Sequence, residues 1–170
     1  SSDPCFETSK KIIKIGRTRD VKISISLSDP NIVKAFKSRL ESWMTVPIDF
    51  LFCNFEEAKS FCESEEIESI KDSLLNVAKN IFITDGSNGA FVITKNFTKK
   101  IDGFPAKAID TNGAGDMFAG GVLNLIAKEK TLEEAAKFGC FLASKGVETI
   151  GPRLKQEDYL NLYEKFLKIN

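Results

Sequence analysis

The chain has 170 residues, enough for one domain with a sizeable hydrophobic core. Hydrophobic residues make up 42% and charged residues 28%, which excludes a disordered tail and a collagen-like repeat. Lys plus Arg equals Asp plus Glu, 24 against 24, so no basic field is present to hold a nucleic-acid backbone and we expect no nucleic-acid partner.

The chain contains no histidine, which removes Ser-His and Cys-His dyads and imidazole metal sites. Chemistry must therefore use carboxylates, lysine, hydroxyls or backbone amides. The cysteines Cys5, Cys53, Cys62 and Cys140 lack the two-residue spacing of a zinc site, and we expect them to be reduced, in a cytoplasmic protein. No apolar run reaches ~18 residues and no signal-peptide pattern opens the chain, so we expect neither membrane insertion nor secretion.

The first part of the hydrophobic pattern predicts strands that alternate with helices. Apolar residues at every second position over 21–27 indicate a strand with one buried face. Ser28-Asp29-Pro30 marks the start of a helix that continues to Trp43. The apolar run 48–53 indicates a strand covered on both sides, after which Asn54 caps a short helix.

The later elements continue the alternation, and no linker or internal repeat interrupts it. The pattern predicts a helix over 67–77, strands over 81–84, 91–94 and 97–101, a helix that begins near residue 116, and helices over about 131–147 and 155–168. Together these elements predict an α/β fold with a largely parallel sheet and helices on both faces.

The segment Asp110-Thr-Asn-Gly-Ala-Gly-Asp116 places small residues immediately before a strongly apolar helix. The amides of Gly113, Ala114 and Gly115 can point into one concavity, where the positive end of the helix favours an anion. Asp116 lies at the same terminus, where its carboxylate can accept a proton from an attacking hydroxyl. The simpler alternative is that the glycines only form a turn and Asp116 only caps the helix.

Four motifs in the same order resemble those of one kinase family. Asp110-Thr111-x-Gly113-Ala114-Gly115-Asp116, followed by Ala119-Gly120-Gly121, resembles the C-terminal signature of the ribokinase-like carbohydrate and nucleoside kinases, also called the PfkB family. Asn54-Phe55-Glu56-Glu57 is similar to the family's Asn-x-x-Glu motif. Residues 84–89 are similar to its Thr-x-Gly-x-x-Gly turn, and residues 26–30 are similar to the corresponding segment of the adenosine-kinase-like branch. The resemblance runs from about residue 20 to the end of the chain.

The resemblance implies a ribokinase-like, three-layer αβα fold and phosphoryl transfer from ATP, with Mg²⁺, to a hydroxymethyl group of an adenosine- or ribose-like acceptor. It implies that Asp116 is the general base. The amides of Gly113, Ala114 and Gly115 would then hold the charge that develops on the transferred phosphoryl group.

The resemblance also implies roles on the nucleotide side. Asn54 and Glu57 would position Mg²⁺ and the phosphates, mostly through water, although helix capping alone also explains Asn54. Asp110 falls where many relatives bind a monovalent cation such as K⁺. Turn chemistry alone also explains Ser87. The residues that would line the nucleotide are Thr84, Gly86, Ser87 and Gly89.

Three departures limit the resemblance. Cys140 stands where relatives often carry Asn or His near the adenine, and Gly151-Pro152 stands where Gly-Ala is frequent. Family members are also considerably longer, and their first half supplies the lid and most acceptor-binding residues. Residues 1–170 therefore look like the C-terminal nucleotide-binding and catalytic portion of a kinase domain truncated on its N-terminal side, and we expect self-association or pairing with the missing half.

Two alternatives stay open beside the kinase interpretation. The chain could bind nucleotide without catalysing a reaction until another chain completes it, or it could belong to the vitamin-precursor kinases of the same fold. The sequence lacks the dinucleotide-binding Gly-x-Gly-x-x-Gly between a first strand and helix, the Gly-x-x-x-x-Gly-Lys phosphate loop and the Gly-x-Ser-x-Gly elbow. A dehydrogenase, a P-loop NTPase and an α/β-hydrolase are thus unsupported.

Overall fold

A computed structural model of the chain describes residues 3–169, in which helices flank one mixed sheet of five strands in the order β1-β2-β3-β4-β5. The α/β class predicted from the sequence is confirmed. The helices and strands, in chain order, are α1 (Asp3–Thr18), β1 (Ser24–Ser26), α2 (Pro30–Trp43), β2 (Ile48–Asn54), α3 (Phe55–Cys62), α4 (Ile67–Val77), β3 (Ala78–Thr84), β4 (Ala90–Thr94), β5 (Thr98–Ile101), α5 (Ala114–Ala127), α6 (Leu132–Gly146) and α7 (Gln156–Ile169).

The described residues divide into two compact units. The first comprises the chain up to Ile83 together with Ile93–Thr98, and the second comprises Thr84–Val92 together with the chain from Lys99 onward. The two units are described separately below. Among the described helices, none has both the length and the apolar composition needed to span a bilayer.

In the first unit, β1 and β2 pair in parallel, with Ser24 opposite Phe50. Asp49 of β2 accepts a hydrogen bond from the amide of Ile23 at 2.9 Å and one from the ammonium of Lys79 at 3.0 Å, so one carboxylate ties the chain before β1 to β3. These hydrogen bonds and the charges of Lys79 and Lys22 outweigh desolvation and lower the pKa of Asp49. The carboxylate therefore stays ionised where it connects these strands.

The predicted strand over 21–27 is shorter in the structure. The amide of Val21 donates to the carbonyl of Gly16 at 2.9 Å, so residues 19–21 belong to the turn that ends α1. At the other end, the carboxylate of Asp29 accepts hydrogen bonds from the amides of Asn31 and Ile32, which confirms the predicted start of α2. The turn that ends α1 thus takes residues that the alternating pattern assigned to β1.

Helix α1 was not predicted from the sequence. Its contacts with α2 include Phe6 stacked on Trp43 at 5.7 Å between ring centroids, and a guanidinium nitrogen of Arg17 that donates to the carbonyl of Trp43 at 3.3 Å. Ile12 and Ile15 of the same helix are exposed. The helix is amphipathic, so its hydrophobic periodicity was sufficient to predict it and the sequence analysis missed it.

In the second unit, glycines let α5 and α6 approach closely. A Cβ at Gly139 of α6 would lie 2.8 Å from the carbonyl oxygen of Phe118 and 2.9 Å from the side chain of Val122. A Cβ at Gly121 of α5 would lie 3.1 Å from the Cα of Gly139. Small residues at the crossing therefore set the separation of the two helices, because larger ones would push their backbones apart.

We expect Gly139→Ala to lower the free energy of unfolding by about 1–3 kcal/mol, because the added methyl group meets backbone that cannot yield easily. Gly120→Ala is the matched control, since a Cβ at Gly120 of α5 has no neighbour within 4 Å. The control should raise stability by up to about 1 kcal/mol through helix propensity. Urea denaturation of both variants measures the difference, and equal effects would contradict the close-packing explanation.

Candidate active site

The turn before α5 depends on Gly113. This residue is the N-cap of α5 and has φ 76°, a left-handed conformation that favours glycine. A Cβ at this position would also lie 2.5 Å from the carbonyl oxygen of Pro152. Both the backbone angle and the close approach exclude a side chain, so α5 begins without a side-chain cap.

The missing cap leaves backbone donors open at the start of α5. The amide of Ala114 donates to the carbonyl of Thr111 at 3.2 Å and closes the turn, whereas no residue within 3–169 accepts a hydrogen bond from the amides of Gly115 and Asp116. A Cβ at Gly115 would have no neighbour within 4 Å. These two amides therefore face space that an anion can enter. The sequence analysis singled out the Gly115 amide but not the Asp116 amide.

Asp116 lies in the first turn of α5 and is exposed. No other residue in the described chain forms a hydrogen bond or an ion pair with its carboxylate. The next residue, Met117, is buried, so Asp116 sits at the edge of the packed helix and its side chain lines a groove of about 690 Å³. This carboxylate is free to accept a proton from a ligand, because no internal partner has to be displaced first.

A cavity of about 670 Å³ opens beside the start of α5, within the second unit. We call it the glycine cavity; its volume lies in the range of about 300–1,000 Å³ that is typical of ligand sites. The structure brings most of the predicted nucleotide-side residues together in its wall, whereas Gly113 and Asp116 are not part of it. The predicted residues that line it are Thr84, Gly86, Ser87, Gly89, Ala114 and Gly115.

The turn over 85–89 shows why two of these positions are glycine. A Cβ at Gly89 would lie 2.5 Å from the amide of Gly103, so packing alone requires glycine there. Gly86 has φ 52°, and a Cβ at this position would have no neighbour within 4 Å. The amide of Asp85 closes the turn by donating to the carbonyl of Gly89 at 2.8 Å. The close approach of the Gly103 backbone therefore explains why residue 89 is glycine. Gly86 has no such neighbour and leaves space in the cavity wall.

The loop over 103–111 forms one side of the cavity, and the sequence analysis singled out only Asp110 and Thr111 in it. The amides of Ile109 and Asp110 both donate to the carbonyl of Val147 at the end of α6, at 2.7 and 3.2 Å. Phe104 meets Phe141 of α6 edge to face, with 5.3 Å between ring centroids. These contacts join residues more than 30 positions apart, and no local sequence signal marks them.

Asp110 holds the ends of two loops together. Its two carboxylate oxygens accept hydrogen bonds from the amides of Asn112 and Gly151, each at 2.9 Å. These two bonds stabilise the charged form and lower the pKa of Asp110. A structural role therefore accounts for Asp110, and the monovalent cation stays a prediction.

Asn54 and Glu57 form a capping box at the start of α3, in the first unit. The side-chain oxygen of Asn54 accepts from the amide of Glu57 at 2.8 Å, while the amide and side-chain nitrogen of Asn54 donate to the two oxygens of Glu57 at 3.1 and 2.8 Å. Glu57 is 7% exposed, and its burial raises its pKa against the opposing effect of the Asn54 amide, with a further rise from the charge of Asp29. The capping explanation of Asn54 is confirmed.

The hydrogen-bonded pair of Asn54 and Glu57 suits a magnesium ion that keeps its water ligands and is held through them. Both Glu57 oxygens already accept hydrogen bonds, and the described residues contain no group of three or more Cys, Asp or Glu side chains placed to hold a metal. Mg²⁺ loses water reluctantly and is often held by one or two carboxylates and substrate phosphates. Glu57 is oriented well enough by Asn54 to accept a hydrogen bond from a metal-bound water.

Residues 3–158 match the pfkB family carbohydrate kinase model. Adenosine kinase 2 of Arabidopsis thaliana is 34% identical over 143 residues, which are 75% of this chain and 41% of that protein. Ribokinase of Haemophilus influenzae is 40% identical over 73 residues, which are 43% of this chain and 24% of that protein. The chain thus spans less than half the length of these curated relatives.

The chain also shares its fold with solved kinase structures. Adenosine kinase from Sinorhizobium meliloti superposes with a TM-score of 0.87 and 24% identity, over 93% of this chain and 49% of that chain. A putative ribokinase II from E. coli, solved in complex with ATP and Mg²⁺, gives a TM-score of 0.87 at 18% identity, over 99% of this chain and 56% of that chain. Because the family model matches nearly the whole chain, the chain belongs to the pfkB family of carbohydrate kinases.

Proposed function

We propose that the chain is the nucleotide-binding and catalytic portion of a kinase that transfers the γ-phosphoryl group of ATP to a hydroxymethyl group of a sugar or nucleoside. The observation that carries this proposal is the uncapped start of α5, where the open amide of Gly115 adjoins the exposed carboxylate of Asp116. An anion and a hydroxyl can meet at this point, as phosphoryl transfer requires.

The amides before and within the first turn of α5 would bind the γ-phosphoryl oxygens. Gly113, Ala114 and Gly115 are the proposed anion hole, with the Asp116 amide as a further donor. The Ala114 amide, which donates to the carbonyl of Thr111 at 3.2 Å, would share its hydrogen between that carbonyl and the phosphate. The helix terminus contributes about 0.3–1 kcal/mol per charge when exposed and up to ~2 kcal/mol when partly buried. Fixed donors need no reorganisation as negative charge develops, so they lower the barrier more than flexible ones.

Asp116 would act as the general base. Its carboxylate accepts the proton of the acceptor hydroxyl as that oxygen forms a bond to the γ-phosphorus. The bond between the γ-phosphorus and the bridging oxygen breaks in line, ADP leaves, and the phosphorylated alcohol retains the γ-phosphoryl group. No ion pair has to break before Asp116 accepts the proton.

Mg²⁺ would neutralise charge on the nucleotide phosphates when bound. Asn54 and Glu57 would orient its water ligands, since the capping box fixes the Glu57 carboxylate. Thr84, Gly86, Ser87 and Gly89 would line the nucleotide. Asp110 would help to bind a K⁺ ion near the backbone carbonyls of residues 147–151. Its lowered pKa keeps the carboxylate ionised, and a cation site requires this negative charge.

The acceptor class follows from the relatives. Curated relatives include adenosine kinases, a ribokinase and fructokinases. Structural neighbours include an adenosine kinase from Schistosoma mansoni in complex with 2-fluoroadenosine and a nucleoside kinase from Burkholderia thailandensis in complex with inosine. We therefore propose a nucleoside or a sugar as the acceptor. The cytoplasm is proposed as the compartment because the cysteines are expected to be reduced.

A second candidate is a chain that binds nucleotide but needs another polypeptide for catalysis. The chain spans 41% of the Arabidopsis relative, so that relative contains a large part that this chain does not match. Calorimetry with ATP and Mg²⁺, followed by an assay for phosphorylated adenosine, ribose or fructose, separates the candidates. Binding without turnover supports the second candidate, and absence of binding contradicts both.

We expect Gly115→Ala to weaken ATP binding at least tenfold, which is about 1.4 kcal/mol, because the new methyl group enters the space that the phosphate would occupy. The melting temperature should not fall, since this Cβ meets nothing in the protein. Gly120→Ala is the matched control, with an equally free Cβ in the same helix but outside the glycine cavity. Equal ATP affinity in both variants would count against the anion site.

We expect Asp116→Asn to lower kcat by about 10²–10⁴-fold, the usual contribution of general-base catalysis. The dissociation constant for ATP should change little, because the amides that bind the phosphate are retained. Single-turnover kinetics and calorimetry, performed on the polypeptide or complex that shows turnover, measure the two quantities. Wild-type turnover in the variant would end the assignment of Asp116 as the base.

A further inference from the structure

The groove that Asp116 lines follows one face of α5 and lies within the second unit. We call it the α5 groove. Pro152 and Arg153, from the segment between α6 and α7, also line it. A Cβ at Gly120 would have no neighbour within 4 Å, so the groove is open beside the proposed base. The residues that α5 and its C-cap contribute at intervals of four are Asp116, Gly120, Asn124 and Lys128.

Among the described residues that line the α5 groove, Lys128 and Arg153 carry a positive charge. Lys128 stands at the opposite end of α5 from Asp116, about 18 Å away at a rise of about 1.5 Å per residue. Its ammonium lies over the ring of Tyr163, 3.9 Å from the ring centroid. Lys128 is therefore distant from the proposed base and already engaged with an aromatic ring.

Arg153 has neither limitation. It directly follows Pro152, which lies so close to the start of α5 that a Cβ at Gly113 would be 2.5 Å from the Pro152 carbonyl oxygen. The amide of Gly151 donates to the carboxylate of Asp110 at 2.9 Å and fastens the same segment. No described residue forms a hydrogen bond or an ion pair with the exposed side chain of Arg153. A fixed backbone thus carries an unengaged guanidinium in the groove beside the proposed anion hole.

The charges expected at the start of α5 favour a cation at this place. The transferred phosphoryl group is an anion, and the carboxylate of Asp116 is a second negative group next to it. The backbone amides supply only partial positive charge. A guanidinium stays protonated, and its planar fork of N–H donors fits phosphate oxygens. A cation near both groups would offset their repulsion.

We propose, building on the phosphoryl-transfer function proposed above, that Arg153 is a further catalytic residue whose guanidinium donates hydrogen bonds to the γ-phosphoryl oxygens of ATP. The amides at the start of α5 bind the same group from the helix side. The acceptor oxygen forms its bond to the γ-phosphorus, the bond to the bridging oxygen breaks, and the electron pair leaves with ADP. Asp116 takes the hydroxyl proton, while Arg153 keeps its own protons and holds the charge of the group in transfer.

The first experiment compares ATP with ADP in the 170-residue chain. Calorimetry with Mg²⁺ measures the dissociation constant of each nucleotide for the wild type and for Arg153→Gln. The variant should weaken ATP binding at least about tenfold and ADP binding less than about twofold, because only ATP carries the γ-phosphoryl group. A smaller loss for ATP, or an equal loss for ADP, overturns the role of Arg153 and leaves the nucleotide-binding function standing. Absence of ATP binding in the wild type overturns both.

Lys128→Gln is the matched control, because it removes one positive charge from the same groove at a distance from Asp116. Its affinity for ATP should stay within about twofold of wild type. Arg153→Lys keeps the charge without the planar fork and should recover only part of the lost affinity. The melting temperature of Arg153→Gln should match wild type, since no internal partner is lost. An equal loss of ATP affinity in Lys128→Gln would indicate a general effect of charge and overturns the assignment.

The second experiment separates catalysis from binding, on the polypeptide or complex that shows turnover. In single-turnover kinetics at saturating ATP, Arg153→Gln should lower the rate of phosphoryl transfer by about 10³-fold or more, as for other arginines that contact a phosphoryl group in transfer. A residue that only shaped the groove would raise KM and leave this rate unchanged. An unchanged rate at saturating ATP overturns the catalytic role.

Discussion

The left-handed conformation of Gly113 is the constraint on which the candidate site depends. It brings the backbone against Pro152, where no side chain fits, and so it starts α5 without a side-chain cap. Asp110 supports the same arrangement, because its carboxylate holds the amide of Gly151, next to Pro152. The free donors at the helix start are therefore a consequence of how two loops are fastened together.

Close packing of α5 and α6 extends this constraint to the cavity wall. Gly121 and Gly139 let the two helices approach until backbone meets backbone. The approach brings Cys140, one residue after Gly139, into the wall of the cavity beside the start of α5. The same small residues thus stabilise the second unit and shape the surface that a ligand would touch. A change in the helix separation would alter both properties at once.

Structural and functional explanations of a residue are compatible at several positions. Asn54 and Glu57 satisfy the start of α3, and the same hydrogen bonds orient a buried carboxylate. Asp110 fastens two loops and remains ionised. Gly89 is explained entirely by its close approach to Gly103, whereas Gly115 has no packing reason to lack a side chain. Gly115 points to a ligand because it also lines the glycine cavity, whereas Gly120, which equally lacks a packing reason, lies outside that cavity.

The sequence by itself determined the features that depend on near neighbours. The caps at Asp29 and Asn54 use residues within three positions, and the helices and strands follow from hydrophobic periodicity, so both were predictable. Helix α1, which is amphipathic, belongs to the same class although it was not predicted. The tertiary structure decided the shortening of β1, the contact of Gly113 with Pro152 and the cavity walls near Phe104 and Val147. These features depend on the turn that ends α1 or on packing between distant segments. Which distant surfaces meet is set by the fold as a whole, and no local pattern encodes it.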